Sequence, residues 1–444
     1  MIEFKKYKLR ELASVDISSV DKKTKEGEIP VRLCNFTDVY KNWAIRTHMY
    51  DSFMQATAKQ KDIDKFSIKK GQVAITKDSE TRDDIGIPAY IADDFNNVVL
   101  GYHCALITPH ENFCGAYLNA YLNTKMAKKY FEGYASGSGQ RYTLTLDSIN
   151  EIQIWAPEKK EDQEKIVKVL NDIDKKIIFN TRMNAELEAM AKQLYDYWFV
   201  QFDFPFDFAQ GKPDENGKPY KTSGGKMVWN EKLKREIPEG WEVKEIGDFI
   251  ATERGISYST PNISTGKGVP MLNLATFTPG GGGYKAGGLK YFLGEYPKNK
   301  ILKPYDLIMC NTQQTAIRFE TDIIGRAMLV PDVFDGDVVF SHHVNVIKPT
   351  EESLKFFLLY LFNSDHFHRY ISGYTNGTNI LGLSFVGINK YKSEIPPSKI
   401  LDDFASIILA KEKQKNNLEL ENQRLTRLRD SLLPMLMNGQ VTIE

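Results

Sequence analysis

The sequence is poor in features that would name a chemistry outright. Four cysteines, Cys34, Cys104, Cys114 and Cys310, are too few and too scattered for a disulfide framework or a zinc site. No apolar run approaches the roughly 20 residues of a membrane span. The opening residues, Met1-Ile2-Glu3-Phe4-Lys5-Lys6, lack the apolar stretch of a secretory signal. Neither sign of charge is in excess: Lys and Arg number 58, Asp and Glu 58. Nucleic-acid binding must therefore come from local patches rather than from net charge. Catalytic signatures are missing too. There is no Asn/Asp-Pro-Pro-aromatic motif of an adenine methyltransferase, no Gly-x-x-x-x-Gly-Lys-Ser/Thr loop and no His-Glu-x-x-His. The glycines of 280–288 have the wrong spacing to cradle phosphate. His342-His343 and His366-x-His368 read as core or hydrogen-bonding histidines, and only His103 recurs in the repeat described below. Pro213-Asp214 followed by Glu242-Val243-Lys244 superficially fits a metal-dependent nuclease. However, Lys8-Leu9-Arg10 stands opposite the latter triplet in that repeat, which makes it a strand that opens a domain. These absences point to a cytoplasmic protein with no metal, no cofactor and no catalysis of its own.

What is present is 444 residues, 42% of them hydrophobic and 26% charged, enough for two or three domains with sizeable cores. The chain is written twice. Tyr130-Phe-Glu-Gly133-Tyr134-Ala-Ser-Gly137 returns as Tyr370-Ile-Ser-Gly373-Tyr374-Thr-Asn-Gly377, an offset of 240 residues (130 to 370). Tyr102-His103 through Pro109 returns as His342-His343 through Pro349. Ile85-Gly86 answers Ile324-Gly325, and Tyr7 through Leu12 answers Trp241 through Ile246. A period this long means duplicated domains rather than a solenoid. Short apolar runs bounded by Gly, Asp and Asn, such as Val73-Ala-Ile75 and Leu307-Ile-Met309, read as strands. Leu/Tyr/Phe-rich stretches near 113–134 and 351–372 read as helices.

Each copy ends in a longer helix. Ile166, Leu170, Ile173, Ile177, Leu187, Leu194 and Trp198 follow heptad spacing, with Asn180 and Asn184 as polar layers. In the second copy Phe404, Ile407, Leu418, Leu425, Leu428 and Leu432 do the same, with Lys411, Gln414 and Glu421 as polar layers. Pro434 and Gly439 are expected to end that helix. Neither helix can bury its seam alone, so the two are expected to pair. The expected fold is α+β, with two homologous mixed α/β domains, each followed by a long helix, and the helices forming an antiparallel coiled coil with pseudo-twofold symmetry. The boundaries are 1–158, a first helix 159–200, a connector 201–236, a second domain 237–397, and a second helix with its tail 398–444. The connector opens with Phe202-Asp-Phe204-Pro-Phe206-Asp-Phe208, too aromatic for a free linker.

This layout resembles the specificity subunits of type I restriction–modification systems over essentially the whole chain. The stretches that carry the resemblance are Gly137-Ser-Gly139-Gln140-Arg141 leading to Ala156-Pro157 and Gln163, Asp196-Tyr-Trp198-Phe199 with the connector behind it, Ile237-Pro238-Glu-Gly240-Trp241, and Leu425 through Gly439. The second copy departs from the first at Gly377-Thr378-Asn379, which has no counterparts of Arg141 and Tyr142. The resemblance implies two target recognition domains reading the halves of a bipartite asymmetric site in double-stranded DNA. It also implies paired helices that space those domains and dock two adenine-N6 methyltransferase subunits, and restriction/translocase subunits that join through that core.

Base readout needs side chains with paired donors and acceptors: Arg for guanine, Asn or Gln for adenine. In the first copy these are Lys77, Ser79, Arg82, Gln140, Arg141 and Tyr142. In the second they are Gln313, Gln314, Arg318, Asn376, Thr378 and Asn379. The loops fall at equivalent positions and differ in side chains, as two readers of different half-sites would. The competing reading is a coiled-coil scaffold with two protein-binding domains and no DNA.

Overall fold

Side chains alternate across a strand, so short runs that are apolar throughout build sheets buried on both faces. In the computed structural model, which describes residues 3–137, 139–314, 321–378 and 380–440, the chain divides into two units. The first comprises Met1–Phe179 with Glu421–Glu444, and the second Asn180–Leu420.

The first unit centres on a five-stranded sheet in the order Ala13–Ile17, Cys104–Pro109, Val73–Thr76, Pro88–Ile91, Ala44–Ile45. Only the last pairing is parallel. Val73, Ile75, Ala105 and Ile107 point to one side, against the wholly buried helix Gly115–Leu122. Ala74, Ala89, Cys104 and Leu106 point to the other, into a separate apolar cluster. The second unit repeats this plan. Leu307, Met309, Ala327 and Ile347 face the helix Leu354–Asn363, while Ile308, Cys310, Met328 and Val346 face away from it. Phe4–Lys8 pairs with Gln153–Pro157 in the first unit, and Glu242–Glu245 with Lys392–Ile395 in the second. The Glu242-Val243-Lys244 triplet is thus a strand, but its expected counterpart Lys8-Leu9-Arg10 is not: the equivalent strand ends at Lys8 and Leu9–Leu12 is a short helix.

The central helix, Lys160–Tyr195, and the distal helix, Ser398–Met437, each contribute one half to each unit. In the first unit Ile166, Val167 and Leu170, near the start of the central helix, share a core with Leu433, Leu436 and Met437 at the end of the distal one. In the second, Ala191, Tyr195 and Trp198 share a core with Ile400, Leu401, Phe404 and Ile408. Start meets end in both places, so the helices pair antiparallel. The start of the central helix is fixed by Gln163, whose Oε1 accepts from the Cys114 N–H and whose Nε2 donates to Pro157 O, both at 2.8 Å.

On the central helix Ile166, Leu170, Ile173, Asn180 and Leu187 are buried, and Ile177 and Leu194 half-buried. On the distal helix the expected seam is corrected by about one residue. Phe404 is buried and Leu418, Leu425 and Leu432 are half-buried. Ile407, Gln414 and Leu428 face solvent, whereas Ala405, Ile408, Glu412, Asn416, Asn422, Leu433 and Leu436 are buried. The cause is that mid-helix burial falls on polar residues, so a count of apolar ones rolls the helix. Pro434 does not stop the helix either. The helix runs on to Met437, and Gly439, in the left-handed region at φ 67°, ends it, with the Gln440 N–H donating to Met435 O.

The connector belongs to the second unit. Phe202, Phe204 and Tyr220 are buried there, with Phe204 stacked between Tyr220 and Trp241 at 4.7 and 5.5 Å. The Asp203 carboxylate accepts from Thr222 N and Oγ1 at 2.7 and 2.6 Å. Among the described residues no helix is long and apolar enough to cross a membrane.

Candidate nucleic-acid interface

In each unit the two polar loops singled out by the sequence come together as one three-stranded ribbon. In the first unit Tyr142–Thr143 lies between Ser136–Gly137 and Asp78–Ser79, with Tyr142 opposite both Gly137 and Ser79. In the second, Ile380–Leu383 lies between Thr375–Asn376 and Thr312–Gln314, with Gly382 opposite both Asn376 and Thr312. The repeated glycines are required by these turns. A Cβ on Gly137 would lie 2.0 Å from Arg141 O, and one on Gly377 2.0 Å from Ile380 O.

Beneath each ribbon sits a pair of rings in tilted contact, Tyr102 with His103 at 3.7 Å and His342 with His343 at 3.8 Å between centroids. The same backbone bond ties each pair to its ribbon: Lys77 N donates to His103 O, and Asn311 N to His343 O, both at 2.9 Å. Asp78 and Thr312 therefore occupy equivalent positions.

The chemistry of the two ribbons differs. In the first, the Asp78 carboxylate is the hub. Its Oδ2 is 2.7 Å from His103 Nδ1, 3.0 Å from Lys77 Nζ and 3.4 Å from Arg141 Nη2. Burial alone would raise the Asp78 pKa, but hydrogen bonds from His103, Thr143 and Lys77 outweigh it and hold the carboxyl below its ordinary range. Lys77 is mostly buried by this contact and serves as a counter-charge. Arg141 and Gln140 are exposed, and with Asn35, Phe36, Tyr40 and His103 they line a cleft of about 550 Å³. Tyr40 donates across that cleft to Asp84 Oδ2 at 2.6 Å. Arg82 donates to Ala135 O at 3.2 Å, Ser79 accepts from Thr81 N–H, and Tyr142 is half-buried against the core.

The second ribbon is neutral where it is described. Thr312 Oγ1 lies 2.7 Å from His343 Nδ1. The imidazole is pushed down to about 4 by burial and by His342, Arg254 and Lys290, so it is uncharged at neutral pH. Asn311 is buried and donates to His342 O and Asn345 Oδ1. Gln313, expected at the surface, is turned inward: it is buried, and its Oε1 accepts from the Ile323 and Ile324 N–H groups at 2.8 Å each. Gln314 lies on the ribbon strand opposite Ile380, and Asn376 and Thr378 are exposed. Arg318 and Asn379 lie outside the described residues.

Sequence reasoning named Arg141 and missed the pair that holds it, Asp78 and His103. The available signal was the recurrence of His103 as His343, the only histidine kept in the repeat. Among the described residues no three His, Cys, Asp or Glu side chains gather as a metal site would require.

Comparison with known proteins agrees with this geometry. Residues 1–189 and 238–424 match the family model of the type I restriction modification DNA specificity domain. The specificity subunit of the type I restriction enzyme MjaIX of Methanocaldococcus jannaschii is 24% identical over 91% of this chain and 86% of its own length. That of the type I restriction enzyme HindI of Haemophilus influenzae is 24% identical over 85% of this chain and 88% of its own. In fold the chain is similar to the crystal structure of a type I restriction–modification S subunit from M. genitalium, with a TM-score of 0.50 at 13% identity, over 98% of this chain and 96% of that one. The duplicated sheet, the paired helices and the matched segments together place the chain in the type I restriction–modification DNA specificity family, as the non-catalytic specificity subunit of a complex that binds DNA and contains modification and restriction subunits.

Proposed function

We propose that the two ribbons read the two halves of a bipartite, asymmetric site in double-stranded DNA, one half each. The observation that supports this most directly is that two loops far apart in each copy close into one ribbon at the same place, over the same ring pair, with unlike side chains. Conserved geometry with divergent readers is what a pair of recognition modules for unlike half-sites needs. Gln140 and Arg141 serve the first half-site and Asn376 and Thr378 the second, while Asp78, His103, Asn311 and Gln313 build the platforms beneath.

The helix pair docks two adenine-N6 methyltransferase subunits, and restriction/translocase subunits join through them. Large apolar side chains left in solvent on both helices support this: Phe179 and Met190 on the central helix, Ile407 and Leu428 on the distal one. Such side chains favour a protein partner. Electrophoretic mobility of the chain with its methyltransferase subunits tests the reading. Tight binding is expected only on DNA carrying both half-sites, and equal binding to either half alone, or to unrelated DNA, overturns it.

A further inference from the structure

The first ribbon contains an arrangement that the second lacks. Arg141 is an exposed residue on a turn, with 58% of its side chain in solvent. An arginine so placed would ordinarily be free to sample many rotamers, and fixing it on binding would cost entropy. Here it is already held. Its Nη2 lies 2.7 Å from His103 Nδ1 and 3.4 Å from Asp78 Oδ2. With the proton on Nδ1 the imidazole donates to Asp78, and Arg141 Nη2, packed beside the ring, donates to the same carboxylate. His103 is itself fixed from three sides: packed at a tilt against Tyr102, edge-on to Phe36 at 6.5 Å, and bonded to Asp78 at 2.7 Å.

Asp78 is a poor candidate for touching DNA. Only 10% of its side chain is exposed, and a carboxylate at the surface would repel phosphates. Surrounded by Lys77, His103 and Arg141, it acts as an internal anchor. Nη2 carries two hydrogens and needs one for this anchor. Its second hydrogen and the other N–H groups of the guanidinium have no protein partner among the described residues, and the side chain opens on the 550 Å³ cleft. That is the donor fork a guanine O6/N7 edge accepts. In the second ribbon Thr312 stands where Asp78 does and is hydrogen-bonded to a neutral imidazole, so the anionic anchor is missing there.

We infer that Asp78 and His103 are positioning residues for Arg141, presenting one edge of its guanidinium to a guanine in the first half-site. This rests on the reading above that the ribbon faces DNA.

The test uses the full chain assembled with its methyltransferase subunits, the wild-type methylated site, and DNAs in which each base pair of that site is replaced in turn. Arg141→Ala is expected to lose about tenfold or more of the discrimination at one G·C pair of the first half-site. His103→Ala should lose most of the same discrimination at the same pair, and the double variant should be no worse than Arg141→Ala alone. His103→Asn, which keeps a donor toward Asp78, should restore part of it. The second half-site preference of His103→Ala should not move, which separates positioning from general structural damage. Wild-type discrimination in His103→Ala alongside its loss in Arg141→Ala overturns the inference while leaving the ribbon a reader. A uniform loss over all sequences in Arg141→Ala, with a salt slope smaller by about one, makes Arg141 a phosphate contact and overturns it as well. No effect of Arg141→Ala at all removes the ribbon from DNA and overturns the underlying reading.

Discussion

Glu188 of the central helix and Lys415 of the distal helix form an ion pair across the seam, and Glu412, one turn before Lys415, accepts from the same ammonium at 2.8 Å. Lys415 and Glu412 are largely buried, while Glu188 keeps a third of its side chain in solvent. Burial pushes the Glu412 carboxyl up, partly offset by Lys415. Lys415→Met removes the only cation of the trio and leaves two carboxylates facing each other. Breaking a well-buried pair costs about 3–5 kcal/mol, and the exposure of Glu188 places this case at the lower end. A carboxyl raised by burial contributes stability at low pH that is lost as pH rises past the ordinary carboxylate range. The variant should therefore lose more stability at about pH 7 than at about pH 5, as read from urea midpoints at both.

The corrected seam makes a contrast that equilibrium unfolding can read. Leu187 is buried, so Leu187→Ala should cost about 2 kcal/mol or more. Leu428 is 46% exposed, and Leu428→Glu should shift stability by no more than about 0.5 kcal/mol. The same Leu428→Glu chain should co-purify less with methyltransferase subunits, because a charge then sits on the apolar docking surface. Severe unfolding of Leu428→Glu would restore the seam that apolar spacing alone suggests.

That difference marks how far the sequence could be read. The duplication was legible because turn glycines and packed aromatics recur at one offset, as with Gly137 and Gly377. The central helix was legible because its buried positions are mostly apolar. The distal helix misled because Glu412, Asn416 and Asn422 are buried while Ile407 and Leu428 are not. Apolar counting has no access to an ion pair supplied by the other helix. In the ribbons the loops were identifiable, but the direction each side chain faces was not. Gln313 and Arg141 are equally good hydrogen-bonding residues on paper. Strand pairing turns Gln313 toward the Ile323 and Ile324 amides, while Arg141, in the loop before its strand, opens on the cleft.

The ribbon turns give a local prediction. Gly137→Ala and Gly377→Ala each drive a Cβ into backbone oxygen at 2.0 Å, which the chain can relieve only by opening the turn. Because Gly137 and Gly377 are exposed, calorimetry should show little change in melting. Affinity for DNA should fall, with discrimination lost in the first half-site for Gly137→Ala and in the second for Gly377→Ala.

Acid stability of the second unit should depend on Glu253. Hydrogen bonds from Lys300 and Lys348, at 2.8 and 2.6 Å, push its carboxyl down to about 2. A depressed carboxyl contributes stability that is present above the ordinary value of 4.5 and is lost as pH falls from there through about 2. Glu253→Gln should match the wild type most closely at the acid end and be less stable near neutrality. Urea midpoints between about pH 3 and pH 7 would show the two curves converging on acidification.

The central claim is that each ribbon reads its own half of a split site. It is tested most directly by mapping methylated adenines on genomic DNA modified by the complex. Three chains are compared: wild type, Gln140→Ala with Arg141→Ala, and Asn376→Ala with Thr378→Ala. The account predicts a split motif for the wild type, relaxation confined to one half for the first double variant, and relaxation confined to the other half for the second. An undivided motif, or two variants that relax the same base pairs, would contradict it.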